Sequence, residues 1–93
     1  MTKVAVENPN APGTSYSVDA AKYNDMRDAM LRVVSTTPMT AAQIKAAVLP
    51  HLSDALFPAG KTAGWWLKCV QLDLEAKQVL QRHASKPLTW TTA

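Results

Sequence analysis

The sequence predicts a small, mainly α-helical domain with a small antiparallel β-sheet: three helices and then a C-terminal β-hairpin. Three observations predict it. Apolar residues recur at steps of three and four in three separate segments, the signature of helices with one buried face. Residues 79–83 and 88–92 are rich in Val, Leu, Thr and Trp and flank a turn at Ala84-Ser85-Lys86-Pro87, which reads as two paired strands. A chain of 93 residues has room for one core, so these elements must share it.

Residues 1–17 read as an irregular N-terminal arm. Pro9, Pro12, Gly13 and the surrounding Asn, Thr and Ser residues favour turns over helix. Within the arm Val4 and Val6 alternate with Lys3, Ala5 and Glu7, the pattern of an edge strand. The domain proper is expected over 18–93. Its first helix begins near Asp19, with Ser17 or Asp19 as cap. It buries Tyr23, Met26, Met30, Val33 and Val34 on one face, and it ends before Pro38. The second helix opens on Thr40-Ala41-Ala42-Gln43, a capping-box pattern, and turns Ile44, Ala47 and Val48 inward. Pro50 stops or kinks it. One helical turn is expected within residues 51–58, where Leu52, Leu56 and Phe57 plug the core.

The third helix, from about Thr62 to Lys77, carries two apolar stripes. Ala63, Trp66, Leu67, Val70 and Leu74 form one. Trp65, Cys69, Leu72 and Ala76 form the other, on nearly the opposite side. Gly64, Lys68, Gln71 and Glu75 make a polar strip between them, and Asp73 and Lys77 fill the other gap. A helix with two such stripes is buried on both sides or lends one to a partner. A short strand near Pro38-Met39 is expected to join the two strands of the hairpin.

Charge and composition narrow the function classes. The net charge is +3. Basic and acidic residues cancel over 1–60, so the excess lies in 61–93, on Lys61, Lys68, Lys77, Arg82 and Lys86 against Asp73 and Glu75. Such a bias attracts polyanions mildly. The lone cysteine excludes an internal disulfide and suits a reducing compartment. No apolar run is long enough to cross a bilayer, and the first residues lack the apolar stretch of a signal peptide. The expectation is a cytoplasmic protein that does not associate with membranes.

The element order, helix, extended link, helix, helix, hairpin, resembles that of a winged-helix (winged helix-turn-helix) domain. Leu74-Glu75-Ala76-Lys77-Gln78-Val79-Leu80 resembles the run by which winged-helix regulators leave the third helix for the wing, with Gln78 where that family usually has Gly. Val18-Asp19-Ala20-Ala21-Lys22-Tyr23, Ala55-Leu56-Phe57-Pro58 and Gly64-Trp65-Trp66-Leu67 through Leu72-Asp73-Leu74-Glu75-Ala76-Lys77 are similar to a family of small bacterial proteins of unknown function. Gly60-Lys61-Thr62 resembles the opening of the third helix in a winged-helix module of chromatin and restriction proteins.

The resemblance implies double-stranded DNA as a partner. The third helix would enter the major groove. Lys61, Thr62, Lys68 and Gln71 would then face the bases, and Arg82, His83 and Lys86 would set the wing against phosphates. Glu75 on the same strip opposes this, as do the lack of Arg on the helix and the long link preceding it. The competing expectation is a solvated polar face, with Trp65, Cys69 and Leu72 serving as an interface to a protein partner or a second copy. Cover of that stripe by Val4 and Val6 of the arm, or by the hairpin, is the simpler fate for it, because exposed apolar patches are uncommon on monomers. Trp90 is expected to pack back on the third helix more than to stack on a base, and Cys69 to be a small buried apolar residue. His51 and His83 have no ligand-spaced neighbours, so no metal site is expected. The three glycines are scattered, which gives no phosphate loop. No nucleophile-base or paired-carboxylate pattern stands out, so the expectation is a non-enzyme without cofactor.

Overall fold

A computed structural model of the protein describes residues 2–11 and 13–93. It is an α+β fold of three helices and two small antiparallel sheets. Strands β1 (Lys3–Glu7) and β2 (Ser15–Asp19) form a first hairpin. Helix α1 (Ala20–Val33) follows, then strand β3 (Met39–Thr40) and helix α2 (Ala41–Val48). Helix α3 (Ala63–Ala76) leads into the C-terminal hairpin of β4 (Leu80–His83) and β5 (Thr89–Thr92).

The N-terminal hairpin corrects the expectation of an irregular arm. The link between the two strands turns back on itself, with Ala11 N donating to Asn8 O (3.0 Å) and Thr14 N to Ala11 O (3.2 Å). Val4 pairs with Val18 and Val6 with Tyr16, which puts four side chains on one face. That face packs on α1 and α3, and Val6 and Val18 are buried. A two-stranded ribbon is marginal alone; the apolar stripe of α3 gives it something to pack on.

The second sheet runs in the order β3-β5-β4. The two-residue strand β3 pairs Met39 with Trp90, and β5 pairs on its other side with β4. Thr92 N donates to Ser35 O and extends this pairing.

Most local expectations have a visible cause. The capping box of α2 is formed: Gln43 N donates to Thr40 Oγ1 (3.2 Å) and Thr40 N to Gln43 Oε1 (2.9 Å). Helix α2 gives way to a 3-10 turn at Leu49–His51, with Pro50 inside it, and a second such turn spans Pro58–Gly60. Asp19 stands at the N-cap of α1 without making a side-chain cap bond. The exit of α3 is a Schellman turn, in which Val79 N donates to Leu74 O (2.8 Å) and Gln78 N to Glu75 O (3.1 Å). Gln78 adopts the left-handed conformation (φ 60°) that glycine usually fills.

The core lies where α1, α2 and α3 meet the two sheets. Tyr23, Met26 and Met30 of α1, Ile44 and Val48 of α2, and Trp66, Leu67, Val70 and Leu74 of α3 are buried in it. Phe57 closes one end, edge-to-face with Trp66 at 6.4 Å, and Leu52 and Leu56 pack partly buried against the same cluster. The Lys22 ammonium lies over both rings, 5.8 and 6.0 Å from their centroids.

Candidate functional site

The second apolar stripe of α3 is divided by the N-terminal hairpin. Cys69 is buried, and Tyr16 Oη donates to its Sγ at 3.5 Å. Burial raises the Cys69 thiol above its ordinary pKa, so it stays protonated and unreactive. Leu72 is half-buried. Trp65 alone keeps the exposure an interface needs, at 56 %, against Trp66 with ring centroids 5.1 Å apart. The expected interface of Trp65, Cys69 and Leu72 is therefore corrected. The hairpin shelters Cys69, while Trp65 stays exposed, as Tyr16 does at 50 %.

Asp73 anchors that hairpin, a role the sequence did not reveal. Its carboxylate is fully buried. Glu7 N donates to Oδ1 at 2.9 Å. Tyr23 Oη donates to Oδ2, and Lys77 Nζ reaches the same oxygen at 2.9 Å. Strand β1, helix α1 and the last turn of α3 are thus tied to one side chain. The spacing of Asp73 and Lys77, four residues apart on a helix, was a visible signal of their pairing; the donors from Glu7 and Tyr23 were not visible.

A groove of about 620 Å³ opens between α2, α3 and the C-terminal hairpin. Lys45 of α2, Gly64, Lys68 and Gln71 of α3, and Arg82 and Trp90 of the hairpin line it, with Leu67, Leu72 and Leu88 as apolar wall. Asn8 and Asn10, from the tip of the N-terminal hairpin, stand at its edge. Lys45 crosses to α3 where Gly64 lacks a side chain: a Cβ on Gly64 would meet Lys45 Nζ at 3.5 Å. A glycine within a helix costs about 1 kcal/mol relative to alanine. A Cβ there would make ordinary van der Waals contact, so this approach does not by itself require glycine at position 64.

The polar strip of α3 is only partly available to a ligand. Glu75 is neutralised by Arg82, whose Nε and Nη2 donate to its two carboxylate oxygens at 2.8 and 3.2 Å. Gln71 Nε2 donates to Glu75 Oε2 at 3.2 Å. Gln71 is only 5 % exposed, so the expectation that it faces DNA bases is corrected: the side chain is spent within the fold. Arg82 is likewise engaged, and its guanidinium lies 5.8 Å from the Trp90 ring centroid. Lys45 and Lys68 are exposed and, among the described residues, have no carboxylate partner.

The remaining expected contacts lie around this groove, outside its lining. Lys61 and Thr62 precede α3, exposed, with Thr62 in the left-handed region (φ 63°) and no side-chain cap on the helix. The first α3 amide with a backbone partner among these turns is that of Trp66, donating to Thr62 O at 3.1 Å. His83 Nε2 lies 2.7 Å from Thr91 Oγ1, half-buried on the hairpin, and Lys86 is exposed at its turn. Trp90 is 5 % exposed, so stacking on a base is not open to it; its Nε1–H is buried without an acceptor among the described residues.

Among the described residues no cluster of His, Cys, Asp or Glu is placed to hold a metal ion, and no helix is long and apolar enough to cross a membrane.

Fold and site together define a small α+β protein with a cationic groove between two helices and a β-hairpin. The chain belongs to a family of unknown function (DUF6958), whose model matches residues 3–90. No curated protein and no solved structure matches it.

Proposed function

We propose that the protein is a winged-helix module of the DNA-binding, regulatory-accessory kind, which holds a nucleic-acid backbone through charge and with little choice of sequence. The observation that carries this reading is the pair of unpartnered lysines, Lys45 on α2 and Lys68 on α3, on one groove whose acid, Glu75, is neutralised by Arg82. Element order and the strand order β3-β5-β4 support the winged-helix assignment. Lys61 at the head of α3 and Lys86 on the wing add cations at either end of the face. With Gln71 buried, base readout has little to work with, and phosphate contacts give affinity without specificity. The role is one of binding and not of catalysis.

The test is an amide NMR titration of the labelled protein with a short mixed-sequence duplex, at low salt and then near physiological salt. Lys45, Lys61, Gly64, Lys68 and Lys86 are expected to shift together and to recover as salt rises. Replacing Lys45 and Lys68 by Gln should lower the salt dependence of log K by about 0.9 for each phosphate that is no longer neutralised. A duplex that moves none of these signals at low salt overturns the reading.

A second reading is favoured by a separate observation. Tyr16 and Trp65 are exposed aromatics, and Tyr16 bonds the buried Cys69, one helical turn along α3 from Trp65. They form the remaining surface on which a protein partner or a second copy would dock. Such binding would be insensitive to salt, in contrast to phosphate contacts.

A further inference from the structure

The groove between α2, α3 and the C-terminal hairpin has more apolar wall than a phosphate-binding surface requires. Leu67, Leu72 and Leu88 line it beside the indole of Trp90, while Lys45 and Lys68 supply two unpaired ammonium groups. Its volume, about 620 Å³, falls within the range of sites that enclose small organic molecules. Trp90 also lines it, and its indole N–H is fully buried with no acceptor among the described residues. A buried donor left unpaired is rare in folded proteins.

We propose that this groove binds a small aromatic carboxylate: a flat apolar body against the leucines and Trp90, with one carboxylate between Lys45 and Lys68. The two lysines line the groove from different helices, α2 and α3. Lys45 lies beside Gly64, in the first turn of α3, so its ammonium adds to the positive end of the helix dipole. Among the described residues no carboxylate pairs with Lys45 or Lys68, and Glu75 is taken by Arg82. An apolar cation would be repelled here, and a fully hydrated inorganic anion would leave the leucine wall unused. A carboxylate on an aromatic ring satisfies both parts of the lining.

The inference stands apart from the nucleic-acid reading, because it is tested with no nucleic acid present. The probe is 2-naphthoate, titrated into the intact ¹⁵N-labelled chain while the indole N–H signals of the three tryptophans are followed. The expected result is a saturable shift of the Trp90 indole and of the Leu88 amide, with the exposed Trp65 indole unmoved. Neutral 2-naphthalenemethanol should bind about tenfold more weakly, as should naphthoate to Lys45→Gln or Lys68→Gln, each change removing one charge-assisted contact. Arg32→Gln, exposed on α1 and outside the groove, should leave the affinity unchanged. The proposal is overturned if the Trp90 and Leu88 signals stay still up to the solubility limit of the probe. It is equally overturned if the alcohol binds as well as the acid, or if both lysine variants bind naphthoate like the parent while their amide spectra show the fold intact.

Discussion

Asp73 has no contact with solvent, yet its carboxylate receives donors from Glu7 N, Tyr23 Oη and Lys77 Nζ. A buried charge is tolerated when its lone pairs are satisfied in this way. Asp73→Ala leaves the Tyr23 hydroxyl and the Glu7 amide without their acceptor, and hydrogen bonds to charged groups are each worth about 1.5–3 kcal/mol. The expected loss of stability is at least about 2 kcal/mol, read as a lower urea midpoint. Tyr23 adds a pH dependence. Burial, and then its bond to Asp73, raise its phenol well above the usual 10.0. Tyr16 is pushed up to about 12 by its bond to Cys69 and by burial. The folded state therefore holds these protons more tightly than the unfolded chain does. Their contribution is complete below pH 10.0 and is lost as pH rises from there through the folded values. Tyr23→Phe should be less stable at neutral pH and should show a shallower alkaline decline, checked by urea unfolding on both sides of pH 10.0.

Among the elements, the N-terminal hairpin and the exit of α3 carry the clearest consequences. Val6 is fully buried on the hairpin's inner face. Val6→Ala removes two methyl groups' worth of burial, about 1.6 kcal/mol at 0.8 kcal/mol for each, and loosens the strand that shelters Cys69. Thiol labelling of Cys69 should accelerate in this variant, while the exposed change Ser17→Ala should leave the rate as it was. Labelling at the parent rate in Val6→Ala would mean that something other than the hairpin protects the thiol. Gln78 closes the Schellman turn of α3 in a left-handed conformation. That conformation costs an ordinary residue about 1–2 kcal/mol, and glycine returns part of the gain as unfolded-state entropy, about 0.5–1 kcal/mol. Gln78→Gly is expected to raise stability by up to about 1 kcal/mol, visible as a higher melting temperature.

Taken whole, the molecule is a thin slab, 36 × 33 × 17 Å, and the exposed Tyr16 and Trp65 lie outside the lining of the cationic groove. The two proposed kinds of partner therefore separate cleanly by mutation. Trp65→Ala should abolish any concentration-dependent association seen by light scattering and leave duplex binding intact, whereas Lys45→Gln with Lys68→Gln should do the reverse. If the parent stays monomeric at high concentration, a self-association role for the patch is ruled out.

Helix periodicity, the Thr40–Gln43 capping box, the stop at Pro50, the inner stripe of α3 and the C-terminal hairpin were all legible in the sequence by itself. Each depends on residues a few positions apart, whose spacing and local hydrogen bonding leave a one-dimensional pattern. The two stripes of α3 were legible too; the structure buries the first and, of the second, Cys69, while Trp65 stays exposed. What covered the second stripe was not legible. The residues of positions 3–19 carry a turn-rich composition, and their strands become stable only by packing on α3, an energy that belongs to the contact and to neither segment alone. The same holds for the site. Lys68 was visible on its helix face, but its company with Lys45, the engagement of Gln71 and Arg82 by Glu75, and the burial of Trp90 were decided by tertiary structure. Those pairings join residues far apart in the chain, and only the folded backbone sets the distances over which charge and hydrogen bonds act.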